Sequence, residues 1–292
     1  FGLLALGYWF ASDRFAAAPR RAGATAIAVV TCGYAAVALG KAWFAVPRPP
    51  GALPPVGVPT WLPGLLVAWY ETQVLSDGFG FPSGHATGAA GAYVALALLY
   101  DRVWTPRKRL AGAAAIAVAV AASRVVIEVH FLVDVVAGLL LGVAVVVGSL
   151  RLAGDPRFRG EETARTDPVD RSAGLDPRPV FLLAAVISAV ATGIAAANGH
   201  GDTVIDAGIG IATGLGGAVG WLLVDGDEPS VPVRIAGPAL LGAGGLWVGA
   251  YVLSSSLTIV LVATFTAVAV VIGLPALPCV LEKNVRSSSV RP

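Results

Sequence analysis

The chain has 292 residues, of which 56% are hydrophobic and 13% charged, with a formal net charge of +2. A soluble domain carries about 25% charged residues, so this composition excludes a protein surrounded by water. The small positive balance, scattered over loops, also excludes nucleic acid as a partner.

Solid blocks of Ala, Val, Leu and Gly, about 20 residues each, are long enough to cross a bilayer as helices. A β-barrel would show short alternating segments instead. The expected fold is therefore all-α, a polytopic membrane helical bundle of about nine transmembrane helices. In chain order the spans are expected at roughly 1–12, 22–44, 84–101, 109–128, 131–151, 179–198, 203–224, 235–253 and 256–281. The first is short. The chain opens at Phe1 and contains no Met, which points to a trimmed N-terminus. Frequent glycine inside the spans suits close helix packing in lipid, and Pro275 and Pro278 are expected to kink or end the last span.

The polar stretch 152–178 reads as a linker. It divides residues 1–151, a catalytic part, from residues 179–292, accessory helices and a tail. Arginine and lysine concentrate in alternate loops: Arg14, Arg20 and Arg21; Arg102, Arg107, Lys108 and Arg109; Arg151 to Arg178; and Lys283, Arg286 and Arg291 in the tail. The bias of short loops toward positive charge on the cytoplasmic side puts these loops and the C-terminus in the cytoplasm. Segment 50–81, rich in proline and containing Trp61, Trp69 and Tyr70, is expected on the other face as an interfacial helix or lid. Cys32 and Cys279 fall in apolar segments and read as small buried residues.

Three short stretches carry the chemistry, and all are expected to emerge on that non-cytoplasmic face. They are Lys41-x6-Arg48-Pro49, Pro82-Ser83-Gly84-His85 and Ser123-Arg124-x5-His130-x3-Asp134. Ionisable groups at the rims of apolar segments are costly and need a reason. Lys41, Arg48 and Arg124 supply three cations, and arginine grips phosphate oxygens in bidentate fashion. Ser83 adds a hydroxyl, Gly84 an approachable backbone, and His85 opens a helix whose first N–H groups favour an anion. His130 and Asp134 are one helical turn apart, so the carboxylate can orient the imidazole as it would a nucleophile. His85 has no such partner in sequence and is the better general acid. Taken singly, bland readings compete: Lys41 and Arg48 as snorkelling residues, Arg124 with Asp134 as a structural ion pair. Glu128, Glu71 and Asp77 read as structural or solvated. His200, in Asn-Gly-His-Gly-Asp, reads as a turn residue.

The three motifs together resemble the type 2 phosphatidic acid phosphatase superfamily, which includes lipid phosphate phosphatases, glucose-6-phosphatase and vanadium haloperoxidases. The match holds at every signature position from Lys41 to Asp134. The resemblance implies a phosphohistidine on His130 oriented by Asp134, with His85 as general acid and then as base for the attacking water. It implies phosphate binding by Lys41, Arg48, Ser83, Gly84 and Arg124, and no metal or other cofactor. The expected substrate is a lipid phosphate monoester or a polyprenyl diphosphate within the bilayer. A sugar phosphate is the alternative, favoured by the span count; a non-hydrolytic headgroup-binding or transport protein is another, and transfer to an alcohol a further one.

Overall fold

The computed structural model describes residues 2–10, 12–50, 60–64, 67, 78–159, 172–224, 226, 231–254 and 256–277. The described residues form ten α-helices: α1 (Gly2–Trp9), α2 (Pro19–Phe44), α3 (Gly84–Leu99), α4 (Pro106–Val126), α5 (Leu132–Leu152), α6 (Pro156–Arg159), α7 (Arg178–Ala197), α8 (Gly201–Trp221), α9 (Val233–Leu253) and α10 (Leu257–Gly273). Proline at the first turns of α2, α4 and α7 starts these helices where its missing N–H costs nothing. At the other terminus of the chain, Pro275 lies in the 3-10 turn that closes α10, as expected; Pro278, Cys279 and the basic tail lie outside the described residues.

Among the described residues, seven helices are long and apolar enough to cross a membrane: α2, α4, α5, α7, α8, α9 and α10, the last counted with its terminal turn. The spans expected at 1–12 and 84–101 fall on shorter apolar helices. Helix α1 has only eight residues. Helix α3 has 16, about 24 Å at 1.5 Å per residue, short of a hydrocarbon core of about 30 Å. Helix α3 nonetheless begins at the motif end of the bundle and finishes at the end held by Arg109, the same course as the long helices. Large apolar side chains point outward along the long helices, including Leu132, Leu140, Val186, Val190, Leu241 and Val262. A water-soluble surface rarely carries so much contiguous apolar area, so the chain is an integral membrane protein.

Helix α2 is the central pillar: 78% of its most apolar window is buried, against 6% for α9 at the periphery. It packs on α3 and α5 to one side and on α7 and α8 to the other. Helix α1 tucks under it, with Tyr8 Oη donating to the Ile272 carbonyl at 2.7 Å and Trp9 Nε1 to that of Val271 at 2.8 Å. Those carbonyls belong to the last turn of α10, where intrahelical donors have run out. The chain's first helix thereby satisfies the end of its last one.

The alternating path puts the two ends of the bundle to different uses. At one end the basic side chains are largely structural. Arg109 donates to the carbonyls of Ala97, Asp101, Val103 and Trp104, closing the end of α3. Buried Arg20 bonds to the Tyr8 carbonyl, and Arg157 grips Asp155 while also reaching the Leu98 carbonyl. The opposite end gathers the C-termini of α2 and α4 with the N-termini of α3 and α5, and with them the three motifs.

Candidate active site

Helix α2 ends beyond Lys41 at Ala45, whose φ of 46° is left-handed. This turns the chain sharply toward Arg48. Gly80 then pairs with the strand-like return, its N–H donating to the Val46 carbonyl at 2.8 Å. A Cβ at Gly80 would stand 3.3 Å from Asp134 Oδ2 and 3.4 Å from Arg48 Cα, so the absent side chain lets the loop lie against the site. One residue further, the Phe81–Pro82 peptide is cis. Pro82 itself fits over Gly40, where a Cβ would meet its Cδ at 2.6 Å.

Ser83 caps α3. Its Oγ accepts from Ala86 N–H at 3.4 Å, and Thr87 Oγ1 donates to its carbonyl at 2.9 Å. Ser83 N–H donates to the carbonyl of Asp134 at 3.0 Å, which ties the second motif to the third. That tie is tight because α5 presents Gly138 and Gly142 to α3. A Cβ on Gly138 would lie 2.7 Å from the Ser83 carbonyl, and one on Gly142 would lie 2.6 Å from that of Thr87. Asp134, Gly138 and Gly142 follow one another at helical spacing on a single face. The signal for this contact was a small-x3-small pair in an apolar helix, visible in sequence but without a partner to assign.

The third motif turns on Glu128, whose φ is 59°. This left-handed residue ends the helical run after α4 and swings the chain into Val129 and His130. Asp134 occupies the third position of α5, where its Oδ2 accepts the Phe131 N–H at 2.9 Å, one half of a capping box. The same oxygen stands 3.4 Å from His130 Nδ1. His130 is 3% exposed and Asp134 fully buried. On the other side of the ring, Arg48 Nη1 lies 3.3 Å from Nε2 and donates to the Val129 carbonyl at 3.0 Å.

A carboxylate only accepts, so the imidazole proton belongs on Nδ1 facing Asp134. The Nε2 lone pair then faces Arg48. Burial, and next the positive charge of Arg48, push the His130 pKa down from 6.5 to about 4, against the opposing pull of Asp134. That shift favours the neutral ring, its unshared pair directed at the Arg48 guanidinium.

Lys41 and Arg48 lie within electrostatic reach of the His130 ring, and Arg124, Arg48 and Lys41 within reach of His85. The fold thus assembles the sequence-selected set around one point. His85 is exposed on the first turn of α3, open to an incoming ligand, whereas Ser83 is fully buried with its oxygen engaged in capping. Arg124 donates to Ser123 Oγ at 3.2 Å; Asp134 pairs with His130 instead, so the alternative Arg124–Asp134 ion pair does not form. Cys32 is buried and free, and Glu128 is exposed. Glu71, Asp77 and most of the 50–81 segment, the expected lid, lie outside the described residues. Sequence reasoning missed Gly80, Gly138 and Gly142, whose part is to leave room rather than to react.

The PAP2 superfamily model matches residues 18–157. No curated protein and no solved structure matches the chain. The matched range runs from just before α2 to α6 and encloses every motif residue from Lys41 to Asp134, so residues 18–157 are a PAP2 superfamily domain.

Proposed function

We propose that this protein hydrolyses a lipid phosphate monoester or a polyprenyl diphosphate through a phosphohistidine, without a metal. The observation that carries the reading is the His130 ring, buried between Asp134 on Nδ1 and Arg48 on Nε2. Arg48, with Lys41 and Arg124, draws the phosphoryl group over Nε2, where three cations offset the charge that grows in transfer. The Nε2 pair attacks phosphorus and the bond to the leaving oxygen breaks. Exposed His85 gives its proton to that oxygen. The imidazolium character that develops on His130 is steadied by Asp134. Water then attacks the phosphohistidine, His85 takes its proton, and inorganic phosphate leaves with His130 restored.

The lipid assignment follows from where the site lies. The motifs sit at the ends of membrane-crossing helices, with Trp43, Phe44 and Phe131 exposed beside them, side chains suited to the headgroup level. The basic loops at the opposite end support a site on the non-cytoplasmic face.

Purified protein in detergent, with chelator present, tests this against lipid monophosphates, polyprenyl diphosphates and glucose 6-phosphate, beside His130→Ala. Metal-free release from a lipid, lost in the variant, is the expected result. Preference for glucose 6-phosphate would replace the lipid assignment. Failure of every substrate with folded protein would point to headgroup binding or transport.

A further inference from the structure

Among the described residues, an aromatic contact joins the accessory helices to the loop that borders the site. His200 closes the α7–α8 turn, its N–H donating to the Ala195 carbonyl at 2.9 Å. Its ring packs edge-on against Phe79, with centroids 4.6 Å apart at 68°. Phe79 directly precedes Gly80, which lies against Asp134 and Arg48 and opens the turn into Ser83. His200 Nδ1 is buried and has no hydrogen-bond partner among the described residues, so the ring is held by packing, not by a polar bond.

The platform behind His200 is stiff. A Cβ on Gly214 of α8 would meet the Phe181 carbonyl of α7 at 2.7 Å, so the two backbones are in contact. Near their site end, Ala191, Ala195 and Ala207 pack with Ala38 and Ala42 of α2, the residues that flank Lys41. The α7–α8 turn is thereby fixed to the same pillar that carries the first motif.

We infer that His200, outside the PAP2 superfamily domain, is a positioning residue for the reaction. Its ring stops Phe79 from moving outward, which keeps Gly80 against the Asp134 carboxylate and Ser83 in register with α5. The proposal rests on the phosphatase reading for its kinetic consequence, but its structural half stands apart from it. The bonds to follow are Gly80 N–H to Val46 and Ser83 N–H to Asp134.

Two variants and two readouts test the inference on the full chain in detergent. His200→Ala removes the ring, and His200→Phe keeps an edge-to-face aromatic in its place. Small displacements at a reacting centre cost up to about 100-fold in rate. The expected result for His200→Ala is a kcat lower by roughly 10-fold, with KM within about twofold, and recovery in His200→Phe. Amide exchange over residues 79–84 should quicken in the alanine variant and recover in the phenylalanine one, with α2 unchanged. An unchanged kcat and unchanged exchange in His200→Ala would overturn the inference. So would a raised KM that phenylalanine does not restore, which would mark a direct substrate contact. If the unaltered protein releases no phosphate, the phosphatase reading fails, and the exchange data alone decide whether His200 holds the loop.

Discussion

Helices α5 and α8 solve the same packing problem in the two halves of the molecule, yet only α5 carries a residue of the candidate site. Each sets glycine against a neighbouring backbone: Gly138 and Gly142 of α5 against α3, Gly216 and Gly220 of α8 against α10, the latter with virtual Cβ contacts of 2.5 and 2.6 Å to the carbonyls of Phe265 and Ala269. The difference lies at the helix starts. Helix α5 begins with His130 just before it and Asp134 at its third position, beside the termini of α2, α3 and α4. Helix α8 begins at a Gly-His-Gly turn, with Asp202 in its first turn, and sets small residues against its neighbours. Close glycine packing is thus a general device of the bundle. The candidate site lies where four termini bearing cations and imidazoles meet at one end of it.

The largest effect should come from removing what distinguishes α5. His130→Ala should lower phosphate release by about 10³-fold or more, as loss of a nucleophile does, and abolish trapping of radiolabel from a labelled substrate. Arg48→Lys should cost about 10²-fold despite keeping the charge, because the fork over Nε2 is lost. Retention of full activity by either would detach the chemistry from this end of the bundle.

The packing device itself separates the halves at the next level. Gly142→Val and Gly220→Val should each destabilise the protein by about 1–3 kcal/mol, read as similar falls in melting temperature. Only Gly142→Val should also depress activity in the fraction that stays folded, because it drives α3, with Ser83 and His85, away from α5. Equal losses of specific activity would mean that the accessory half is as tightly bound to catalysis as α5.

The pH profile sharpens the electrostatics. Burial and Arg48 lower the His130 pKa to about 4, so the free base persists as pH falls below 6.5. The acid limb of kcat/KM should therefore lie near 4, and it should move upward in Arg48→Gln, where one cause of the depression is gone. In Asp134→Asn it should move lower still, since the carboxylate is what pulls the pKa up. A limb at 6.5 in the unaltered protein would show that His130 is not held as a free base.

The smallest effect belongs to Glu128. Its left-handed φ is native to glycine, so Glu128→Gly should leave activity within about twofold. Stability should change by less than about 1 kcal/mol, since relieved strain and added unfolded-chain entropy oppose each other. Glu128→Val should be worse on both counts, because a branched side chain is a true outlier there.

Much of this was legible from the chain alone. Hydropathy located the long helices because a bilayer demands about 20 apolar residues in a row. The motifs were legible because a phosphoryl group needs cations and imidazoles, and those residue types are rare enough in an apolar chain to stand out at Lys41, Arg48, His85, Arg124 and His130. Span count was less so, since α1 and α3 are apolar but have only eight and 16 residues. Not legible were Gly80 and Gly138, whose function is an absence that any glycine shares.

The sequence by itself determined a membrane bundle with a candidate phosphate-handling set, because composition and local spacing act within a helical turn or within the thickness of a bilayer. Only the tertiary structure decided which atoms meet. Tyr8 reaches a carbonyl 264 residues away, Arg48 reaches His130 across 82, and His200 finds Phe79 from outside the PAP2 domain. Contacts of such separation are fixed by how helices pack around α2, a property of the whole chain that no single segment carries.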